Sequence, residues 1–198
     1  MIGEYNVLNA LQAISLAWTL GVSDDKCIEG LANMQQVPGR LERYIIEGIG
    51  TAVIDFAHSP DALEKVLTAL RPLCKGRLIV TFGAGGDRDK AKRPMMGEIS
   101  TLLADFAIIT SDNPRSEGPS VITAEIEAGA KKNGTHYDVI VNRREAIFAG
   151  LDMLTPDDIL VIAGKGPEPY QILKDGPIPF LDKNVLFEWC EENGKEVR

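Results

Sequence analysis

Four polar segments of this 198-residue chain carry side chains able to grip a small charged molecule. Asp112-Asn113-Pro114-Arg115 sets a carboxylate and a guanidinium three residues apart on a turn stiffened by proline. Asp112 can accept from an ammonium, and Arg115 can hold a carboxylate through two parallel N–H donors, so the pair matches the zwitterionic end of an amino acid. Gly83-Ala84-Gly85-Gly86-Asp87-Arg88-Asp89-Lys90 offers glycines, whose backbone N–H groups can approach an anion, and a second guanidinium at Arg88. Gly164-Lys165-Gly166-Pro167-Glu168-Pro169-Tyr170-Gln171 adds more glycines and the Glu168 carboxylate. In Asp55-Phe56-Ala57-His58-Ser59-Pro60-Asp61, Asp55 can accept from ribose hydroxyls.

Each segment also has a plainer reading. Asp55 or Ser59 could simply cap a helix, and the spacing slightly favours that. Arg88 between two aspartates could form a surface ion pair worth little. Asp112–Arg115 could be an Asx-Pro turn with an exposed arginine, and 164–171 a loop shaped by its prolines. The glycine segment is not a dinucleotide fingerprint, because Arg88 stands where the third glycine belongs, and no Gly-Lys-Ser/Thr phosphate loop occurs anywhere. No His, Cys or carboxylate set has metal-ligand spacing, and a Gly-x-Ser-x-Gly elbow is absent. Trp18, Trp189 and the Leu and Ile positions are expected in the core, and His136 in a solvated loop. His58 is left open.

The elements that must position these segments follow from periodicity. Residues 6–20 have helical spacing and stop at Gly21, and a second helix is expected from 25 to 34. Pro38-Gly39 reads as a hinge. Residues 43–47 and 52–56 read as a hairpin around Gly48–Gly50. Helix 60–70, strand 77–82, helix 92–103, strand 106–110, helix 119–131, strand 138–141, helix 143–154 and strand 159–163 then alternate, with a last helix near 183–192. That alternation predicts a mostly parallel sheet with helices on both faces. Ligands of such sheets bind beyond the carboxyl ends of the strands, where the polar segments fall. Their convergence on one crevice counts for more than any single motif.

Composition narrows the class. The net charge of −8 argues against a nucleic-acid-coating or membrane-surface protein. Cys27, Cys74 and Cys190 lie far apart without Cys-x-x-Cys spacing, which suits reduced cytoplasmic thiols. No signal-peptide pattern opens the chain, and no apolar run could span a bilayer.

The segments together with Gly3-Glu4-Tyr5-Asn6-Val7-Leu8-Asn9 and Pro38-Gly39-Arg40-Leu41-Glu42 match a known pattern in order and spacing. Over nearly its whole length the chain resembles the Mur ligases. The resemblance implies a Rossmann-like α/β domain of about six strands, one antiparallel, preceded by a short helical hairpin. Residues 1–38 would be the last helices of a central ATPase domain and 39–198 the domain that binds the incoming amino acid. Asn6 and Asn9 resemble an asparagine pair near adenine, Arg40 a linker arginine near the nucleotide phosphates, and Asp55 a ribose-facing aspartate. Arg88, Asp112, Asn113, Pro114, Arg115, Gly164 and Glu168 resemble the pocket for a diamino acid.

The Asp-Asn-Pro-Arg form is associated in the family with meso-diaminopimelate. The implied activity is ATP-dependent addition of that amino acid to the D-Glu of UDP-MurNAc-L-Ala-D-Glu in peptidoglycan synthesis. Activation of the γ-carboxylate would need Mg²⁺ and a phosphate loop outside this chain. Charge complementarity favours the same substrate. Diaminopimelate is lysine with an extra carboxylate at its far carbon, and Arg88 with Arg115 would pair with that carboxylate but face the lysine ammonium with like charge. A lysine-adding relative and a stand-alone amino-acid or nucleotide-binding domain are the competing expectations. One departure stands out: Pro167 replaces a histidine that many members carry.

Overall fold

The computed structural model describes residues 4–34, 36–134 and 136–198. Gly3, which opens the first of the family-like motifs, lies outside the described residues with Met1 and Ile2.

A six-stranded sheet runs in the order β1-β2-β6-β3-β4-β5. Its strands are β1 (Glu42–Ile46), β2 (Gly50–Asp55), β3 (Leu78–Phe82), β4 (Phe106–Ile109), β5 (Tyr137–Val139) and β6 (Ile159–Ala163). Only β1 is antiparallel to its neighbour, paired with β2 through the Gly48–Gly50 turn. Successive residues of a strand point to opposite faces, and the apolar runs of β2 and β6 supply both. Val53, Val161 and Ala163 join the core beneath α3 (Pro60–Leu70), α4 (Lys92–Leu103) and α5 (Pro119–Ala130). Ala52, Ile54, Leu160 and Ile162 join a second core beneath α6 (Arg143–Asp152) and α7 (Asp182–Glu192). The expected layers, strand count and single antiparallel strand are all present.

Local chemistry starts the helices where the sequence places them. Ser59 accepts from the Ala62 amide at 3.3 Å and Pro60 fills the first turn of α3. Asn142 caps α6 by accepting from the amides of Arg144 and Glu145. Cap and periodicity agree at α3, which has the expected bounds; α4 and β6 match theirs on apolar patterning alone.

Two features differ from expectation. A second, two-stranded sheet, β7 (Tyr170–Leu173) with β8 (Gly176–Pro179), follows β6. Prolines at 177 and 179 hid β8, since proline is confined to sheet edges. Trp18 is also not core: it is 54% exposed, whereas Trp189 is 4% exposed and donates to Asp152. Trp18 lies on α1 (Glu4–Thr19), which packs with α2 (Asp24–Ala32) as the expected hairpin, and Val7, Leu8, Leu11 and Leu16 are exposed with it.

The linker is pinned to the sheet further upstream than a Pro38-Gly39 hinge requires. Gln36 exchanges hydrogen bonds with the backbone of Arg43. The Gly39 N–H donates to Glu42 and its carbonyl accepts from Phe56.

Candidate functional site

The carboxyl ends of β2, β6, β3 and β4 stand side by side, and each leads into one of the polar segments. Their loops enclose an open cleft of about 280 Å³. Arg88, Asp112, Asn113, Arg115, Gly164 and Glu168 all line it, so six of the seven residues expected to hold an amino acid share one wall. Pro114 is buried behind that wall and shapes the turn.

The β3 and β4 loops are built as a unit. A side chain at Gly86 would place its Cβ 1.8 Å from the Pro114 carbonyl oxygen. The Gly86 amide donates to the carbonyl of Asn113 at 2.9 Å. Here the glycine serves close packing of loop on loop rather than backbone contact with an anion. Glu117 ties the loops from outside, accepting from the Asp87 amide at 2.7 Å and pairing with Arg93 at 2.8 Å. Those donors, Arg93 foremost, hold its carboxyl well below the usual range.

Arg115 sits at a positive φ of 55° and donates from Nη1 to the carbonyls of Gly86 at 2.9 Å and Asn113 at 3.3 Å. Its guanidinium is thus aimed before any ligand arrives. Arg88 is exposed and bonded only to the carbonyl of neighbouring Asp87 among the described residues, so it is the more adaptable of the two.

The anionic side is equally specific. Asp112 is 6% exposed and its Oδ1 accepts from the Asn113 amide at 2.6 Å. At Gly164, φ is +117°, and a Cβ would come within 2.6 Å of Asp112 Oδ2, so any side chain there would displace that oxygen. Glu168 Oε2 accepts from Asn113 Nδ2 at 2.9 Å and from Lys165 Nζ at 3.1 Å. Below, the buried Arg143 forms a two-pronged pair with Asp182 at 2.7 Å and donates to the carbonyls of Ser111 and Ala163, which precede Asp112 and Gly164.

Three wall residues escaped the sequence reading: Phe56, Lys92 and the undecided His58. Lys92 donates to the His58 carbonyl at 2.7 Å, and burial draws its pKa down against the opposing pull of Asp112 and Asp89. The cleft wall therefore carries three cations and two carboxylates. Lys92 reads as an ordinary surface lysine in sequence; its place in the first turn of α4 is the only cue.

The four residues expected near a nucleotide are not gathered. Arg40 is exposed, 5.5 Å from the Phe56 ring centroid, and lines an adjoining cleft of about 330 Å³ with Phe56, Pro167, Glu168 and Pro169. Asp55 faces neither cleft. Its oxygens accept from the amides of Leu41 and Ala57, each at 2.8 Å, and burial raises its pKa against those bonds. That carboxylate fastens the linker, and it caps no helix, since Ser59 does so. Asn6 and Asn9 approach each other on α1 at 3.5 Å and line neither cleft.

A doubly wound α/β domain with a zwitterion-matched cleft at its strand ends defines a class, the Rossmann-like domains that bind small ligands at that edge. The profile described as "Mur ligase, glutamate ligase domain" matches residues 39–166, and the chain belongs to this family. It is 48% identical over 193 residues to UDP-N-acetylmuramoyl-L-alanyl-D-glutamate--2,6-diaminopimelate ligase 1 of Clostridium acetobutylicum, covering 96% of this chain and 39% of that protein. A Brucella melitensis ligase, whose name lacks only the final numeral, is 49% identical over 183 residues, covering 92% of this chain and 37% of that one. The chain thus spans about two fifths of the length of these relatives. Among solved structures, a UDP-N-acetylmuramoyl-L-alanyl-D-glutamate--2,6-diaminopimelate ligase superposes with TM-score 0.77 at 34% identity, over 98% of this chain and 40% of that one. The Mycobacterium tuberculosis folylpolyglutamate synthase complexed with ADP and AMPPCP superposes at TM-score 0.65 and 22% identity, over 83% of this chain and 38% of that one; this is a likeness of fold.

Proposed function

We propose that this chain is the amino-acid-binding part of an ATP-dependent amide ligase that joins meso-diaminopimelate to the D-Glu of UDP-MurNAc-L-Ala-D-Glu in peptidoglycan synthesis. The observation that carries the reading is the placement of Arg88 and Arg115 on neighbouring loops of one cleft, facing Asp112 and Glu168. Two guanidiniums suit the distal carboxylate and the two carboxylates suit the adjacent ammonium. L-lysine would bring the ammonium but no distal carboxylate, leaving both guanidiniums without an anion to pair. The names of the Clostridium and Brucella relatives support the same substrate.

In this reading residues 39–198 form the amino-acid domain, and 1–38 belong with the ATP-binding part of the cytoplasmic enzyme. Arg40, in the cleft that shares Phe56 and Glu168 with the amino-acid cleft, fits a phosphate. Asn6 and Asn9 are assigned to the adenine side and Asp55 to the ribose; its bonds from the Leu41 and Ala57 amides also fasten the linker. ATP supplies the activation of the D-Glu carboxylate. The chain's own residues orient the amine of the amino acid toward that carboxyl carbon, a contribution of proximity. Mg²⁺ and the phosphate loop are assigned to other parts of the enzyme, and the 198-residue chain alone is expected not to turn over.

Calorimetric titration of the chain tests the substrate assignment. meso-Diaminopimelate is expected to bind at least about tenfold more tightly than L-lysine, a difference of about 1.4 kcal/mol. Equal or lysine-favouring affinity overturns it.

A further inference from the structure

We propose that Lys165 is a positioning residue for the amino-acid cleft, acting through Glu168 and Asn113. The inference rests on the functional reading above and assigns the means by which the cleft recognises the distal ammonium. Lys165 is fully buried, a state that lysine almost never adopts unless it is paired. Its Nζ donates to the Tyr170 carbonyl at 2.6 Å, Glu168 Oε2 at 3.1 Å and Asn113 Oδ1 at 3.2 Å. Three donors meet three acceptors, so the ammonium is saturated and has nothing left for a ligand.

What Lys165 touches shows what it does. Asn113 Oδ1 also accepts from the Ile172 amide at 2.8 Å, and Asn113 Nδ2 donates to Glu168 Oε2. Oε2 is therefore held by two donors, while Oε1 accepts no hydrogen bond among the described residues. On the neighbouring loop Asp112 shows the same asymmetry, with Oδ1 held by the Asn113 amide. One oxygen of each carboxylate is anchored and one is left for a ligand. The Asn113 side-chain carbonyl is consumed by the protein, so this residue serves chiefly to aim Glu168. Lys165 spans the β6–β7 loop that carries Glu168, the Asn113 side chain of the β4 loop and the start of β7, and so sets the distance between the two carboxylates that receive the ammonium. A charged group that holds a carboxylate in one rotamer raises selectivity for ligands bearing an ammonium there, beyond its effect on the fold.

The test compares wild type, Lys165→Met and Lys165→Gln in the 198-residue chain. The ligands are meso-diaminopimelate and 2-aminopimelate, which keeps both carboxylates and lacks one amino group. Wild type is expected to prefer diaminopimelate at least about tenfold. Both variants are expected to lose about tenfold in diaminopimelate affinity and to bring the two ligands within about threefold of each other. Glu168→Gln should narrow the preference similarly, and adding Lys165→Met to it should change little, because the two act together. Hydrogen exchange at the Ile172 amide, read without ligand, should quicken in Lys165→Met while the core of β6 stays protected. Lys165→Gln keeps a donor, so it covers failure of the Met variant to fold. Unchanged selectivity, an equal loss for both ligands, or unchanged exchange at Ile172 overturns the proposal. Wild-type protein that binds neither ligand overturns the functional reading instead, and the exchange result then decides separately whether Lys165 holds the loop.

Discussion

In the proposed reading, discrimination between diamino acids turns on Arg115. It is oriented by carbonyls of two loops, so a ligand carboxylate meets a guanidinium already in place. Hydrogen bonds to charged groups contribute about 1.5–3 kcal/mol each. Arg115→Ala should therefore weaken meso-diaminopimelate binding by roughly thirtyfold and leave L-lysine binding equal or better, as read by calorimetry. Arg115→Lys keeps the charge but loses the planar fork, and should recover only part of the loss. Gly164→Ala tests the other side of the cleft. Its Cβ would press on Asp112 Oδ2 at a φ few side chains adopt, so a loss of about 1–3 kcal/mol in stability is expected, together with weaker ligand binding. A thermal melt within error of wild type would contradict that packing.

At the scale of elements, the site rests on ties between loops and helices. Arg143 and Asp182 are both fully buried and join α6 to α7 under the ends of β4 and β6. Asp182→Asn leaves a buried guanidinium without its counter-charge and should cost about 3–5 kcal/mol in denaturant unfolding. Glu117 links the β3 and β4 loops through Arg93. Its folded pKa lies below its ordinary value of 4.5, so its contribution is complete above that value and is lost as pH falls through the folded one. Stability should fall on acidification below about pH 4.5, and Glu117→Gln should flatten that part of the profile. These ties explain how far the sequence could be read. α3 was legible because its cap and apolar period agree, and α4 and β6 from their apolar patterning. The polar loops were legible as loops, and their convergence followed from parallel topology. Lys165 was not, because a lysine between glycines looks solvated until Asn113 and Glu168 are seen to close around it. β7 and β8 were not, because both are short and β8 carries two prolines, and nothing in their pattern separates them from coil.

At the scale of the whole molecule, the chain divides into a sheet-centred body and the α1–α2 hairpin. Val7, Leu8, Leu11, Leu16 and Trp18 stay exposed on α1, whereas the body's two cores close without it. Exposed apolar side chains at this density on one helix suit a surface for contact with another part of a protein. Removal of residues 1–34 should leave the melting temperature of the body within about 2 °C of the full chain and lower its binding of a hydrophobic dye, since Gln36 onward is anchored to β1. A large drop in melting temperature would show that the hairpin supports the sheet. In the proposed reading, two guanidiniums and two carboxylates of the body surround one end of a diamino acid. A crystal structure of the chain with meso-diaminopimelate measures this directly. The expected complex has a ligand carboxylate within hydrogen-bond distance of both Arg88 and Arg115, and its neighbouring ammonium on the free oxygens of Asp112 and Glu168. A ligand bound elsewhere, or one whose carboxylates avoid both arginines, would contradict it.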